Sequence, residues 1–468
     1  MLKSPMLLIV LLSAFLSKAQ TKLYPIFKNH MVLQQQQKVS IWGEDKANTP
    51  IKITTSWGVN VSTITNNEGK WKLKIQTPSA GGPHKIFING TKLIALQDVM
   101  IGEVWLCSGQ SNMEMPIKGF HNQPVKGSQE EILNSKNNNI RMYTVKRNPS
   151  LSPVNSLSGD WKISNPNNTA DFSAVAYFFG KKLESALKVP IGLIVSCWGG
   201  SSAEAWTDLQ TLKEFKTITI PEGFDVDRIQ QTPTSLYNGM IHPLLGYSIK
   251  GCIWYQGETN RDRPSEYSAL INAMVTSWRK KWNQGDFPFY TTQTAPISYG
   301  NNGTYINSAY LREAQLKTSQ TLKNTGMAIT LDIAQCDSIH PPEKKIVGTR
   351  LAYIALAKDY AFNSVEYSGP VYKSMRSIDE TTLELTFSGS KTGITSFGKE
   401  ILGFEIAGED QVFYPAIAII GKEINTLLIS SPHITIPVAV RYNFNNCAKA
   451  TLFSTSGLPA SSFRTDNW

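Results

Sequence analysis

The sequence has few of the features that tie a protein to a metal ion, a membrane or a nucleic acid. None of its five cysteines lies at a metal-ligand spacing such as C-x-x-C, and beyond residue 19 no apolar run is long enough for a membrane anchor. Its 46 Lys and Arg outnumber its 36 Asp and Glu, but they are scattered, with no basic cluster between aromatics. We therefore predict no metal, no cofactor, no membrane anchor and no nucleic-acid partner.

The chain also lacks low-complexity tracts, heptad runs and internal repeats. Its 468 residues are too many for one small core, so two or three domains are expected. With 41% hydrophobic residues, 18% charged residues and 33 Gly, the composition is that of an ordinary globular protein rich in strands and loops.

Residues 1–19 have the pattern of a secretory signal. Lys3 supplies a positive charge, residues 6–16 form an apolar stretch too short to cross a bilayer, and Ser17 and Ala19 are small residues at the cleavage-site positions. The alternative is a buried N-terminal helix. We predict cleavage before Gln20 and a mature protein that is periplasmic or secreted.

The number of cysteines is odd, so at least one is unpaired within the chain. A disulfide between two of the others is compatible with an oxidising compartment. Their spacing selects no pair.

Three regions differ in their pattern of apolar residues. Residues 20–97 and 362–468 hold short alternating stretches separated by Gly, Ser and Asn turns, which predicts β-sandwich-like regions. Residues 98–361 alternate apolar runs with helical periodicity, as at 172–187 and 267–282. The prediction is an α/β fold, with a parallel-sheet domain flanked by two β regions.

The first apolar run of the central region ends at a candidate nucleophile. Residues 104–107 are expected to form a buried strand, and the Ser-Gly pair at 108–109 suits a tight turn. Ser111 follows directly, and such a turn lifts a side chain clear of the sheet, as a nucleophilic serine requires. Met113 stands where the G-x-S-x-G motif would have glycine. The alternative is a polar turn with no catalytic role.

Three further apolar runs of this region are each followed by a polar loop, and open parallel sheets place their sites beyond such strand ends. The last loop contains Asp332, Asp337 and His340. We predict that His340 exchanges a proton with Ser111 and that Asp337 orients His340, because the two lie three residues apart on one loop. Asp332 is the alternative acid, and a turn-capping role is the alternative for His340.

The oxyanion of a tetrahedral intermediate requires donors that are already in place. The backbone amides of Ser111 and of Gly199 or Gly200 are candidates, and the side chain of Gln256 is a third. The alternative for the glycine pair is a tight turn. Glu258, close to Gln256, is expected to be a supporting residue or a surface charge.

Several motifs together resemble the sialate O-acetylesterase family, a branch of the SGNH-type hydrolases that includes related carbohydrate acetylesterases. The resemblance covers nearly the whole mature chain. It rests on G-Q-S-N-M at 109–113, W-Y-Q-G-E at 254–258 and D-x-x-H-P at 337–341, with further similar stretches at 29–34, 236–241 and 457–466.

Carried over residue by residue, the resemblance implies an SGNH-hydrolase-like domain with Ser111 as nucleophile and Asp337 and His340 as the family's Asp-x-x-His pair. Gly199 or Gly200 and Gln256 match the expected oxyanion positions. One departure is C-D-S at 336–338, where a Gly-Asp-rich approach to the histidine is expected.

The function implied is hydrolysis of O-acetyl esters on sugars through an acetyl-enzyme, with O-acetylated sialic acids as the leading substrate. One alternative is an acetylesterase acting on xylan or another plant polysaccharide, because the catalytic residues do not distinguish the acyl carrier. The other is a non-catalytic carbohydrate-binding protein, which would release no acetate from an aryl acetate.

Overall fold

The structure, a computed structural model, describes residues 20–298 and 307–468. The predicted secretory signal at residues 1–19 lies outside this part of the chain. Within the described ranges, no helix is both long and apolar enough to span a lipid bilayer.

The N-terminal region consists of two small sheets packed face to face. One has the strand order β1-β3-β6, and the other contains β4, β5 and β7. Ile41 and Ile75 of the first sheet and Ile53 and Ile88 of the second are fully buried in one cluster, as alternating side chains of a sandwich require. The strands are β1 (Lys22–Leu23), β2 (Val32–Gln34), β3 (Lys38–Glu44), β4 (Pro50–Thr55), β5 (Asn60–Ile64), β6 (Lys70–Gln76) and β7 (Gly81–Asn89).

The next strand, β8 (Leu93–Gly109), belongs to two regions at once. Its first half pairs antiparallel with β7, between Asn89↔Leu93 and Gly81↔Ile101. Its second half is the central parallel strand of the α/β sheet, between β11 (Ile191–Cys197) and β12 (Gly251–Tyr255). The domain boundary predicted between residues 97 and 98 therefore falls inside one continuous strand.

The large sheet has the order β10-β9-β11-β8-β12-β13-β14, and all its pairs are parallel except β9 with β10. All seven residues of β11 are buried, as expected of a strand covered on both faces. The remaining strands of this sheet are β9 (Asn137–Thr144), β10 (Trp161–Ser164), β11 (Ile191–Cys197), β12 (Gly251–Tyr255), β13 (Phe289–Thr292) and β14 (Thr325–Ala328).

Helices cover both faces of this sheet. Trp105 and Cys107 of β8 pack in one cluster with α4 and α8, whereas Val104 and Leu106 pack in another with α6, because successive side chains of a strand point to opposite faces. The helices predicted at 172–187 and 267–282 correspond to α4 and α6. The helices are α1 (Ser111–Glu114), α2 (Ser128–Leu133), α3 (Pro166–Thr169), α4 (Ala174–Leu187), α5 (Leu209–Leu212), α6 (Pro264–Trp282), α7 (Asn307–Thr321) and α8 (Lys344–Asp359).

The C-terminal region returns to antiparallel strands around a separate apolar core. Its sheets have the orders β15-β16-β21-β20 and β19-β18-β22-β24, with β17 and β23 as a further pair. A disulfide between Cys336 and Cys447 joins this region to the loop after β14. The strands are β15 (Val371–Ser377), β16 (Thr382–Ser388), β17 (Ile394–Thr395), β18 (Phe404–Ala407), β19 (Phe413–Pro415), β20 (Ile417–Ile420), β21 (Thr426–Ser430), β22 (Ala439–Tyr442), β23 (Phe453–Ser454) and β24 (Phe463–Arg464).

Candidate active site

Ser111 begins α1, two residues after the central strand β8 ends at Gly109. The turn between them requires glycine at position 109. Gly109 has φ +135°, and a Cβ there would lie 2.1 Å from the carbonyl oxygen of Tyr255 on the neighbouring strand. The strand end thus fixes the position of the serine with little freedom.

His340 lies on the loop between β14 and α8, and the structure brings it to Ser111 across the sheet edge. The Ser111 hydroxyl donates a hydrogen bond to His340 Nε2 at 2.7 Å. On the other side of the ring, His340 Nδ1 donates to the amide oxygen of Gln123 at 2.5 Å. Phe120 contacts the imidazole edge to face, with centroids 5.5 Å apart. The ring is therefore held in the tautomer that leaves Nε2 free to accept a proton.

The environment of His340 favours its neutral form. Burial and, to a smaller extent, the charge of Lys344 together lower the pKa of the imidazole from 6.5 to about 4. Above about pH 5 the imidazole is consequently neutral and able to act as a base.

Neither aspartate considered from the sequence orients His340 in this structure. Asp337 is exposed near the tip of a turn that the hydrogen bond from Ser338 N–H to Gln335 O closes, and within the described ranges it makes no hydrogen bond to the imidazole. Asp332 is instead bound by both terminal nitrogens of Arg350, at 2.7 and 2.5 Å. The prediction of Asp337 as orienting acid is corrected on this geometry, since Nδ1 is engaged by Gln123.

Gln123 was not found from the sequence. It lies in the loop before α2, 217 residues from His340, and belongs to none of the motifs considered. A neutral amide is also not the residue type expected beside a catalytic imidazole. The sequence held no signal that singled it out.

The oxyanion candidates separate into two groups. The N–H groups of Ser111 and Gly200 make no hydrogen bond within the described ranges, and both residues line the pocket that contains His340. Gly200 has φ +72°, a conformation that glycine adopts without strain. These two amides are free to meet a developing oxyanion.

The amide of Gly199 is engaged elsewhere. Gly199 N–H donates to one carboxylate oxygen of Glu114 at 2.7 Å, and Arg147 holds the other oxygen at 2.5 Å. The Arg147 guanidinium also lies over the Trp198 ring, 5.0 Å from its centroid. Of the two predicted glycine amides, the structure leaves only that of Gly200 unbonded.

Gln256 is a second correction. It is fully buried, its side-chain nitrogen donates to Ser201 O and to the Asn260 side chain at 3.1 and 2.7 Å, and its oxygen accepts from the Tyr267 hydroxyl at 3.0 Å. Both ends of the amide are thus used to join loops beneath the site. The predicted role as oxyanion donor does not fit this arrangement.

Gln110, inside the G-Q-S-N motif, lines the pocket instead. Its side-chain oxygen accepts from Gly257 N–H at 3.1 Å, whereas its side-chain nitrogen has no partner within the described ranges. Its position in the motif, directly before Ser111, was a signal that the sequence reasoning left unused.

A buried polar network connects the loop that carries Ser111 with the loop that carries His340. Lys344 donates to the side-chain oxygen of Asn112, and the Asn112 nitrogen donates to Glu258 at 2.7 Å and to Ile339 O at 3.0 Å. Burial lowers the pKa of Lys344 to about 7 and raises that of Glu258. Because Asn112 follows the serine and Ile339 precedes the histidine, this network ties the two loops together.

The resulting pocket has a volume of about 290 Å³ and opens to solvent above Ser111 and His340. It offers a serine oxygen, a neutral imidazole and two unbonded amides, which are the groups required for acyl transfer. In the part of the chain that the structure describes, no group of three or more His, Cys, Asp or Glu could hold a metal ion.

Comparison with known proteins agrees with this chemistry. Residues 101–357, more than half of the chain, match the family described as carbohydrate esterase, sialic acid-specific acetylesterase. The sialate O-acetylesterase of Rattus norvegicus is 27% identical over 415 residues, covering 74% of this chain and 75% of the relative. That of Homo sapiens is 28% identical over 381 residues, covering 73% and 72%.

A solved structure extends the likeness to the whole molecule. A carbohydrate acetylesterase from Xanthomonas citri has 35% sequence identity and a TM-score of 0.88, and the match covers 96% of this chain and all of that one. The chain therefore belongs to the sialic acid-specific acetylesterase family of carbohydrate esterases, and it is a carboxylic ester hydrolase.

Proposed function

We propose that this esterase removes O-acetyl groups from sugars, with O-acetylated sialic acids as its leading substrates and an SGNH-type α/β domain as its catalytic unit. The observation that carries the proposal is the 2.7 Å contact between Ser111 Oγ and His340 Nε2, in a pocket that Gly200 also lines. A serine paired in this way with a neutral imidazole is an activated nucleophile.

In the first half of the reaction, Ser111 Oγ attacks the acetyl carbonyl carbon while its proton passes to His340 Nε2. The carbonyl electron pair moves onto oxygen, where the amides of Ser111 and Gly200 donate to it. The bond from the acetyl carbon to the sugar oxygen then breaks. His340 returns its proton to that oxygen, which leaves a free sugar hydroxyl and acetyl-Ser111.

The second half repeats these steps with water. His340 Nε2 takes a proton from the water as its oxygen attacks the acetyl carbon. The bond to Ser111 Oγ breaks, the serine recovers its proton from His340, and acetate leaves. Each bond formed is matched by one broken, and the enzyme returns to its starting state.

Gln123 has the orienting role that an aspartate has in other serine hydrolases. Its oxygen holds Nδ1–H and so fixes the tautomer, but it carries no charge to stabilise the imidazolium. The side-chain nitrogen of Gln110 is the third candidate donor to the oxyanion, because its oxygen is held by Gly257 and its nitrogen remains unbonded. One such donor is typically responsible for about 10²–10³ in rate.

The substrate class is supported by the relatives. Two mammalian relatives are named sialate O-acetylesterases, and the bacterial structural neighbour is named a carbohydrate acetylesterase. Acetylated xylan or another plant polysaccharide remains the alternative, because the reacting groups contact only the acetyl ester.

A periplasmic or secreted location is part of the proposal. The disulfide between Cys336 and Cys447 supports it, because disulfides persist in oxidising compartments. Fractionation of cells that express the full chain would test it, and recovery of the protein in the cytosol would refute it.

The test of function is acetate release from O-acetylated sialic acid and from acetylated xylan, by the wild type, Ser111→Ala and Ser152→Ala. Ser152 is exposed and its hydroxyl makes no hydrogen bond within the described ranges, so its replacement is the matched control. We expect release from sialic acid that Ser111→Ala abolishes and Ser152→Ala retains. Release from xylan alone would overturn the substrate, and activity retained in Ser111→Ala would overturn the mechanism.

A further inference from the structure

A second cleft lies between the N-terminal sandwich and the α/β region. Its volume is about 760 Å³, against about 290 Å³ over the catalytic pair, and the two cavities share no lining residue. Clefts of this size at domain junctions are frequent ligand sites. We call it the junction cleft and define it by Lys22, Tyr24, Trp42, Lys72, Asn155 and His242.

Two aromatic rings form part of its wall. Tyr24 and Trp42 lie with centroids 5.2 Å apart and planes inclined by 39°. The Tyr24 hydroxyl makes no hydrogen bond within the described ranges. Rings beside unpaired polar groups suit a pyranose, because a sugar presents C–H groups on its ring face and oxygens at its edge.

The charge of the wall favours an anion. Lys22 has no ion-pair partner within the described ranges, and the contact of Lys72 is with the Trp42 ring, 5.5 Å from its centroid. Lys70 is paired with a neighbouring glutamate, and Glu44 is the one carboxylate among the described lining residues. The two ammonium groups without ion-pair partners thus line the same cleft as the aromatic rings.

Residues of the α/β region add polar groups to the lining of the cleft. The Asn155 side chain makes no hydrogen bond within the described ranges. His242 Nδ1 donates to Val154 O at 3.0 Å, which leaves Nε2 as an acceptor. An amide and an imidazole nitrogen are suitable partners for sugar hydroxyls.

We propose that the junction cleft is a second glycan-binding site that takes an acidic pyranose unit, with the sugar ring against Tyr24 and Trp42 and its carboxylate at Lys22 and Lys72. The choice of a sugar over other organic anions rests on the proposed function. The site would hold an acidic glycan on the enzyme without taking part in ester hydrolysis.

The test uses the full chain and a trimer of sialic acid that carries no acetyl ester. The trimer is titrated calorimetrically into the Ser111→Ala variant and into three double variants. Each double variant combines Ser111→Ala with Tyr24→Ala, Lys72→Met or Lys52→Met. Lys52 is an exposed lysine of β4 that does not line the cleft, so it is the matched control. We expect Tyr24→Ala and Lys72→Met to weaken binding about tenfold each, Lys52→Met to leave it unchanged, and added salt to weaken it.

A second measurement separates this cleft from the catalytic pocket. At concentrations that saturate the cleft, the trimer is expected to leave aryl acetate hydrolysis by the wild type uninhibited. Absence of binding, binding insensitive to both cleft variants, or equal binding of neutral xylohexaose would overturn the proposal. Failure of the proposed function would show differently, as lack of acetate release from acetylated sugars, whatever the trimer does.

Discussion

Replacing Gln123 with glutamate is expected to move the acid limb of the kcat/KM profile to higher pH. The Gln123 oxygen lies 2.5 Å from His340 Nδ1, so glutamate would put a carboxylate where a neutral amide now stands. A negative charge at that position stabilises the imidazolium, and the pKa of His340 then rises from its present value of about 4.

The size of the shift follows from the distance. Two unit charges about 4 Å apart interact by about 4 kcal/mol at an effective dielectric constant of about 20. That energy corresponds to about 3 pKa units, and shifts of about 1–3 units are the usual range for such a neighbour. The acid limb of kcat/KM is therefore expected near pH 4 in the wild type and between about pH 5 and 7 in Gln123→Glu.

The assay is the pH dependence of kcat/KM for a small aryl acetate, between pH 3.5 and 8. Asn122→Asp, at the exposed neighbouring position, is the matched control, because it adds the same charge without contact to Nδ1. Gln123→Met is expected to lower kcat/KM at every pH without raising the limb, since it removes the orienting acceptor. An acid limb in Gln123→Glu that coincides with that of the wild type would refute the reasoning.

Three further changes test other parts of the site. Gln110→Glu keeps an acceptor for Gly257 but removes the donor, and should lower kcat at least about 10²-fold in the aryl acetate assay; because Gln110 is only 2% exposed, the new carboxylate should also lower thermal stability. Lys344 has a pKa of about 7 in the folded protein against an ordinary 10.5, so between these pH values the unfolded chain binds more protons than the folded one. The free energy of unfolding should therefore rise with pH across that window, by up to about 1.4 kcal/mol per pH unit. Urea unfolding at several pH values should show this slope, and Lys344→Met should lack it. Loss of the disulfide in Cys447→Ser should lower the free energy of unfolding by about 4–5 kcal/mol, because it opens a loop of 111 residues. A reducing agent should lower the Tm of the wild type but not that of the variant.

The fold could be predicted wherever one local pattern determined one element. Residues 191–197 read as a buried strand because every residue is apolar or small, and β11 has those limits. The continuity of β8 was not predictable, because polar residues at 97 and 98 and a left-handed conformation at Asp98 resemble a turn between domains. Pairing with β7 on one side and with β2 on the other keeps β8 extended through this segment. Such long-range pairing produces no recognisable pattern in the local sequence.

The two reacting residues of the site were predictable from the sequence, but their hydrogen-bond partners were not. Ser111 and His340 follow parallel strands of one sheet, so their meeting at the sheet edge follows from topology. The partners of each were not predictable, because Gln123 reaches His340 from a loop whose course depends on tertiary packing. The sequence likewise gave no indication that Glu114 would engage the amide of Gly199.

The strand β8 has a consequence for how this protein can be divided. The chain that completes the sandwich continues without a break to the turn that presents Ser111, so any cut between the two regions divides the strand that ends at the nucleophile. A fragment that begins at residue 98 would lose β7 and β2, the strands paired with the first half of β8, whereas residues 103–109 would keep β11 and β12 as partners. Exchange of the N-terminal sandwich therefore requires a junction inside β8, and the replacement must supply new partners for the residues of β8 that β7 and β2 now cover.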